Sequence, residues 1–230
     1  LNGGITHIAS HSGKRWLSKA LKLSSASPEA WLIRIKQAHA AKDWKKLEKY
    51  FKEAVEKMAP EMRFLLLDVL LANEPSIFDN GGCPSTTSCA LTGPPAWMDE
   101  DYESPEEARQ LAELLIPHIN AMEPDLLLVY YGALLHAYAG DREKAEFWFE
   151  RTVMLDTNFW PARLGLMTLA INNQSLNSVF SNQMDFFLRQ GHEAKRFYCS
   201  NCGLKRDQVF FSCPRCRSWH SISFRKQLKD

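Results

Sequence analysis

The sequence has no hydrophobic run long enough to cross a membrane. Its best candidates, residues 64–67 and 69–72, are separated by Asp68, whereas a spanning helix needs about 18 or more consecutive apolar residues. The hydrophobic fraction of 45% and the charged fraction of 24% are those of an ordinary soluble globular protein. We therefore expect a globular chain of cytoplasmic type, with one medium-sized domain and one small one.

The sequence also lacks the short motifs of common enzyme chemistry. It contains no GxSxG nucleophile motif, no Walker-type glycine loop, no GxGxxG after a strand and no HExxH. Glu106 and Glu107 lie at a predicted helix start, where the helix dipole accounts for two carboxylates. His118 and His136 fall in apolar helical segments, as core histidines do. We predict that the chain is not an enzyme.

The sequence has six cysteines, and four of them form two CxxC pairs near its end. Cys199 and Cys202 form the first pair, and Cys213 and Cys216 follow after ten residues. This spacing predicts one tetrahedral site for Zn²⁺ or an iron ion. Four thiolates leave no open position for water or substrate, so we expect a structural ion. The alternative of two disulfides needs an oxidising compartment, and the sequence shows no secretory segment.

The cysteine pairs delimit a small C-terminal module, residues 195–230, after a helical region, residues 1–194. We expect strands at 209–211 and 221–224, where apolar residues cluster or alternate. So short a segment buries too little apolar surface to fold alone, so a metal should supply much of its folding free energy. His220 is a candidate spare ligand, although an exposed histidine is the commoner case.

The period of the hydrophobic residues predicts that residues 28–190 are mostly helical. Two segments within this region fit the same 34-residue repeat pattern. Each places a turn signal, Asp43 or Gly140, before an apolar series that includes Phe51 or Phe149. This pattern predicts a mainly α fold, a tetratricopeptide-like solenoid of helical hairpins with a small C-terminal β metal ribbon. A generic helical-hairpin bundle remains the alternative.

A hairpin solenoid has a concave groove that can bind another protein. The repeat register assigns six positions to this groove: Leu32, Lys36, His39, Tyr130, Leu134 and Tyr138. Leu32, Leu134 and Tyr130 could instead be core residues.

A long loop, residues 74–103, interrupts the helical pattern with glycine, proline and acidic residues. Such a loop is either mobile or a binding element. Cys83 and Cys89 within it could be free thiols, a small disulfide or ligands of a second metal. Trp97 either fixes the loop to the helices or contacts a partner.

Charge is unevenly distributed along the chain. Residues 1–58 carry about +7, residues 59–194 about −13 and residues 195–230 about +7. In the last segment, basic residues alternate with aromatic ones, which suits stacking on bases and contact with phosphates. Nucleic-acid binding by the ribbon is therefore the alternative function, although the acidic middle of the chain would repel a polyanion.

The helical repeats followed by a CxxC and CPxC ribbon resemble the lipopolysaccharide assembly protein B family of YciM-type bacterial heat-shock proteins. The C-terminal module of that family is similar to rubredoxin, and Cys199, Cys202, Cys213 and Cys216 match its four metal ligands. Pro214 and Trp219 also match the ending of the family. The chain departs from it in having the loop at 74–103 and room for fewer repeats.

The resemblance implies a non-catalytic adaptor. Members of the family hold a lipid A pathway deacetylase and a membrane-bound AAA+ protease together, which regulates lipopolysaccharide synthesis. Their metal ribbon packs back on the repeats. We accordingly expect protein partners, a position at the cytoplasmic face of the inner membrane, and membrane attachment only through an anchor outside the printed sequence.

Overall fold

The computed structural model describes residues 11–71, 105–173, 178–192 and 194–227. These residues form a mainly helical protein with a small three-stranded antiparallel sheet. The helices are α1 (His11–Leu23), α2 (Pro28–Ala40), α3 (Trp44–Lys57), α4 (Leu65–Leu71), α5 (Pro105–Asn120), α6 (Leu126–Tyr138), α7 (Arg142–Leu155), α8 (Trp160–Asn173) and α9 (Ser178–His192). The loop at 74–103, with Cys83, Cys89 and Trp97, lies outside the described residues. Within the described ranges, no helix has the length and hydropathy of a membrane span.

Two helical hairpins, α2 with α3 and α6 with α7, are built alike. In each, a helix of 13 residues is followed by one of 14. The turns match: Lys42 (φ 51°) and Gly140 (φ 73°) take the left-handed conformation. The next residue, Asp43 or Asp141, then accepts a hydrogen bond from the backbone N–H three residues later, which caps the second helix. The shared turn explains the repeat seen in the sequence.

The helices pack mainly on their first and second neighbours in the chain. Besides the two hairpins, α2 contacts α4, α3 contacts α5, α5 contacts α6, and α7 contacts α8. This is the contact pattern of stacked helical hairpins. The mainly helical fold is thus confirmed, while its assignment to the tetratricopeptide class stays a prediction.

The C-terminal sheet has the strand order β2–β1–β3, with β1 (Phe197–Cys199) between β2 (Lys205–Arg206) and β3 (Ile222–Phe224). The expected strand near 221–224 is present. Residues 209–211 are not a strand; instead, the Phe211 carbonyl accepts a hydrogen bond from the His220 N–H at 2.7 Å. That segment is therefore tied to the second cysteine turn rather than to the sheet.

The sheet and the helices share one hydrophobic core. The rings of Phe197 and Phe224 each lie 5.9 Å from the ring of Phe64, which precedes α4. Phe224 also stacks on Phe159, with ring centroids 5.8 Å apart, and the indole N–H of Trp160 donates to the Arg225 carbonyl at 3.0 Å. Cys199 thus belongs to a sheet that is itself fixed on the helices.

Candidate metal centre

The two CxxC pairs lie on matching turns. The Gly203 N–H donates to the Cys199 carbonyl at 2.8 Å, and the Arg217 N–H donates to the Cys213 carbonyl at 2.8 Å. Each turn ends in a left-handed residue, with φ 70° at Gly203 and φ 57° at Arg217. Because each turn folds back on itself, its two cysteines point toward the other pair.

The four cysteine sulfur atoms form one cluster. All four Sγ atoms lie within 4.8 Å of one another. The Cys199–Cys216 and Cys202–Cys213 sulfur pairs are each 3.6 Å apart. A tetrahedral shell with bonds of about 2.3 Å places its sulfurs about 3.8 Å apart, so the cluster fits one metal ion. These distances are also well beyond the roughly 2 Å of a disulfide bond.

The groups around the four sulfurs shift the pKa values of individual thiols in different directions. The side chains of Ser218 and Asn201 and the Ser218 N–H lower the pKa of Cys216 to about 5. The Leu204 N–H lowers the pKa of Cys202, but burial and the three neighbouring thiols outweigh it and raise that pKa to about 12. Four thiolates at this distance repel one another, so a bound cation is needed for all four to be ionised at neutral pH.

The centre is closed rather than open. Cys199 and Cys213 are buried, and Cys202 and Cys216 are half-buried at the surface of the module. A metal held there would polarise the sulfurs and link the two turns, with four protein ligands and no place for a substrate. The arrangement supports a structural role for the ion.

His220 lies close to the cysteines in sequence but contacts another element. Its Nε2 is 2.7 Å from the Glu29 carboxylate in α2. The contact joins the second cysteine turn to the first helical hairpin across 191 positions of the chain. Among the described residues, the four cysteines alone form a cluster that could hold a metal ion. His220 instead connects the second cysteine turn to α2 and is not a metal ligand.

A buried polar group that sequence reasoning missed lies beside the sheet. Asp68 in α4 accepts a hydrogen bond from the Tyr131 hydroxyl at 2.5 Å. The Arg196 guanidinium, just before β1, is 3.6 Å from the same carboxylate oxygen, and both side chains are almost fully enclosed. An acidic residue inside an apolar helix was the available signal, because a buried carboxylate requires a partner.

The six predicted groove positions do not share one free surface. Leu32, Tyr130 and Tyr138 are buried, whereas Lys36, His39 and Leu134 are half-buried. The sheet covers part of this region, since the ring of Tyr130 lies 6.1 Å from that of Phe224. Burial also raises the pKa of Tyr130 to about 12. The side chains of Leu32, Tyr130 and Tyr138 are therefore enclosed in this structure, and the assignment of the six positions to a binding groove stays a prediction.

Basic residues of the module line a pocket beside the cysteine turns. The pocket has a volume of about 570 Å³, and its walls include Lys195, Lys205, Arg206 and Arg215, with Asp207 as the acidic member. Aromatic residues of the module are distributed differently. Phe197 and Phe210 are buried in the core, whereas Trp219 is largely exposed.

Comparison with known proteins does not assign the chain to a family. A scan against models of protein families finds none that matches the chain, and a sequence search of curated proteins finds no match either.

Proposed function

We propose that the chain is a non-catalytic protein–protein interaction scaffold, built as a tetratricopeptide-like array whose zinc or iron centre is structural. A closed shell of four cysteines supplies no site for substrate activation. The matching hairpins, α2 with α3 and α6 with α7, support the repeat architecture, since stacked helical hairpins of this kind present extended surfaces to other proteins.

The observation that carries this proposal is the exposed aromatic surface of α9. Phe180, Phe186 and Phe187 are 54%, 57% and 60% exposed, although Leu188 in the same helix is buried. Terminal helices of a repeat array normally have a polar outer face. Phenylalanine is enriched in protein interfaces and costly to leave in water, so this face fits a protein partner.

A photo-crosslinking experiment tests this proposal. A photoreactive residue at position 187 is expected to form discrete adducts with a partner protein in cells that express the chain. The matched control is position 147 in α7, where one phenylalanine is equally exposed at 62% but no second aromatic side chain of that helix is exposed. Adducts that form equally at both positions, or no heterologous adduct at position 187, would contradict the assignment of α9 as the contact surface.

The resemblance to the lipopolysaccharide assembly family motivates a narrower form of the proposal. The chain would present a lipid A pathway deacetylase to a membrane-bound AAA+ protease at the cytoplasmic face of the inner membrane. With purified components, the chain should accelerate degradation of the deacetylase, and the double substitution Phe186→Ser and Phe187→Ser should remove this effect while Phe147→Ser retains it. Degradation at the same rate without the chain would reject these partners and leave other protein partners to the crosslinking test.

The basic pocket favours nucleic-acid binding as a second candidate function. Four cationic side chains surround one concave site, and cations in such a groove bind the phosphates of a single strand. Phe197 and Phe210 are buried and cannot stack on bases. Trp219 is the main exposed aromatic residue of the module and is the one available for stacking.

Binding of single-stranded DNA and RNA across a salt series tests the second candidate. Affinity should fall as salt rises, and Lys195→Gln with Arg215→Gln should weaken it at least tenfold. Arg217→Gln with Lys226→Gln removes two cations outside the pocket lining and serves as the control. No binding at low salt, or equal losses in both variants, would reject nucleic-acid recognition by the pocket.

A further inference from the structure

Helix α1 is basic and contains no acidic residue. Its 13-residue sequence includes Lys14, Arg15, Lys19 and Lys22, against no aspartate or glutamate. The side chains of Arg15, Lys19 and Lys22 are exposed. The helix therefore presents a positive charge that none of its own residues neutralises.

The same exposed side of α1 carries apolar side chains. Trp16 and Leu23 are 65% and 81% exposed, and Ala20 between them is also exposed. These three residues are four and three positions apart, so they form one stripe along the helix. Arg15, Lys19 and Lys22 each precede one member of this stripe by one residue. They therefore form a second stripe, parallel to the first and about 100° around the helix from it. Lys19 joins the two stripes, with its Nζ 5.3 Å from the centre of the Trp16 ring.

The rest of the protein contacts α1 through a different face. Leu17 is buried and Leu21 packs against the core, while the Arg34 guanidinium of α2 donates to the Ser18 hydroxyl at 3.2 Å. The burial of Leu17 and the packing of Leu21 fix the rotation of the helix. The Trp16–Leu23 stripe and its cations consequently face away from the described part of the protein.

We propose that α1 binds the surface of an anionic lipid membrane and lies in the plane of that surface. Trp16, Ala20 and Leu23 enter the boundary between headgroups and acyl chains, and Arg15, Lys19 and Lys22 contact lipid phosphates. Amphipathic helices with aromatic and basic residues bind membranes in this way, and tryptophan favours the depth of the headgroups.

The composition of the face favours lipid over a protein or nucleic-acid partner. Trp16, Ala20 and Leu23 form a narrow apolar stripe beside three cations with no acidic residue in the helix, a pairing that suits an anionic lipid surface. A nucleic acid would contact the cations but would leave the apolar stripe of Trp16, Ala20 and Leu23 in water. A lipid surface uses both stripes at once, because apolar insertion and attraction to anionic headgroups add. This inference concerns α1, which is distant in sequence from the α9 surface, and it does not depend on the proposed function.

Co-sedimentation of the full chain with vesicles tests the proposal. The protein should bind vesicles that contain phosphatidylglycerol and should not bind phosphatidylcholine vesicles, and raised salt should weaken the binding. The variant Arg15→Gln, Lys19→Gln and Lys22→Gln should bind about a hundredfold more weakly, since each cation near an anionic surface strengthens binding about fivefold.

A matched control is available on α3. Lys45, Lys49 and Lys52 are exposed and have the same spacing as the α1 cations, but the described part of α3 exposes no large apolar side chain beside them. Their replacement by glutamine should leave vesicle binding within about twofold of wild type. Equal losses in the two triple variants would show a general charge effect and overturn the proposal.

A second variant separates insertion from adsorption. Trp16→Ser with Leu23→Ser keeps every charge and should still weaken binding at least tenfold, with an unchanged circular dichroism spectrum. Unaltered binding by this variant would reject insertion of the stripe. Self-association that depends on Trp16, without vesicle binding, would assign the face to a second copy of the chain instead.

Discussion

At the residue scale, the two cysteine turns differ in the residue that takes the left-handed conformation. Gly203 has no β-carbon and adopts φ 70° without steric cost, whereas Arg217 adopts φ 57° with a full side chain. A residue other than glycine costs about 1–2 kcal/mol in this conformation. The second turn is therefore strained relative to the first.

We expect Arg217→Gly to stabilise the metal-bound protein by about 0.5–1 kcal/mol, because relief of the left-handed strain exceeds the added chain entropy of glycine. Denaturant unfolding with saturating metal measures the change. Gly203→Ala should act in the opposite direction by about 1 kcal/mol. A loss of stability in Arg217→Gly would mean that the arginine side chain makes a stabilising contact larger than the strain.

The buried pair of Asp68 and Arg196 is a second residue-scale feature with a measurable consequence. Removal of one member leaves the other charged and enclosed, so Arg196→Met should destabilise the protein by about 3–5 kcal/mol. The double variant Asp68→Asn and Arg196→Met should be less destabilised than Arg196→Met alone. Chemical denaturation of the four proteins in this cycle provides the coupling energy, and additive effects would show that the two charges do not interact.

At the element scale, the packing of α7 against α8 depends on a missing side chain. A β-carbon added at Gly165 in α8 would lie 2.6 Å from the Phe149 ring in α7, a distance that atoms do not tolerate without movement. Gly165 therefore lets the aromatic ring lie directly on the helix backbone. The ring fills the space between one hairpin and the next.

Gly165→Ala should destabilise the protein by about 1–2 kcal/mol, although alanine favours helix formation by up to about 1 kcal/mol. The clash with Phe149 outweighs that gain because overpacking costs about 1–3 kcal/mol. Thermal unfolding tests the sign. Addition of Phe149→Leu to Gly165→Ala should recover part of the loss, whereas a stabilised single variant would show that the ring can move aside.

Elements whose geometry is local could be predicted from the sequence. The CxxC spacing specified the four clustered cysteines, and Asp43 and Gly140 marked the turns of two matching hairpins. Contacts between distant segments could not be predicted in the same way. The pattern at 209–211 indicated a strand, but its backbone partner, His220, is set by the second cysteine turn. The burial of Tyr130 likewise depends on Phe224, 94 positions later, which no local period encodes.

At the scale of the whole molecule, the metal module and the helical array are expected to unfold together. Phe197 and Phe224 complete the core around Phe64, so loss of the sheet would expose an aromatic surface on the helices. A centre of this kind supplies folding free energy to the segment that holds it. A bound ion would consequently stabilise residues far from its ligands.

Removal of the metal by a chelator should lower the melting temperature of the helices as well as that of the sheet. Elemental analysis should first find one zinc or iron ion per chain. In protein reconstituted with Co²⁺, the thiolate–metal absorbance and the far-ultraviolet circular dichroism should then change at the same temperature. Two separated transitions would show that the helical array is stable without the metal module.

The long interval between Phe64 and its aromatic partners also affects how the protein is made. A ribosome synthesises Phe64 and Tyr130 well before Phe197 and Phe224, so the nascent helices emerge with an apolar surface that nothing later in the chain yet covers. Compaction of the array can finish only after the last strand leaves the exit tunnel. During that delay the growing polypeptide is a suitable client for chaperones that bind exposed aromatic segments.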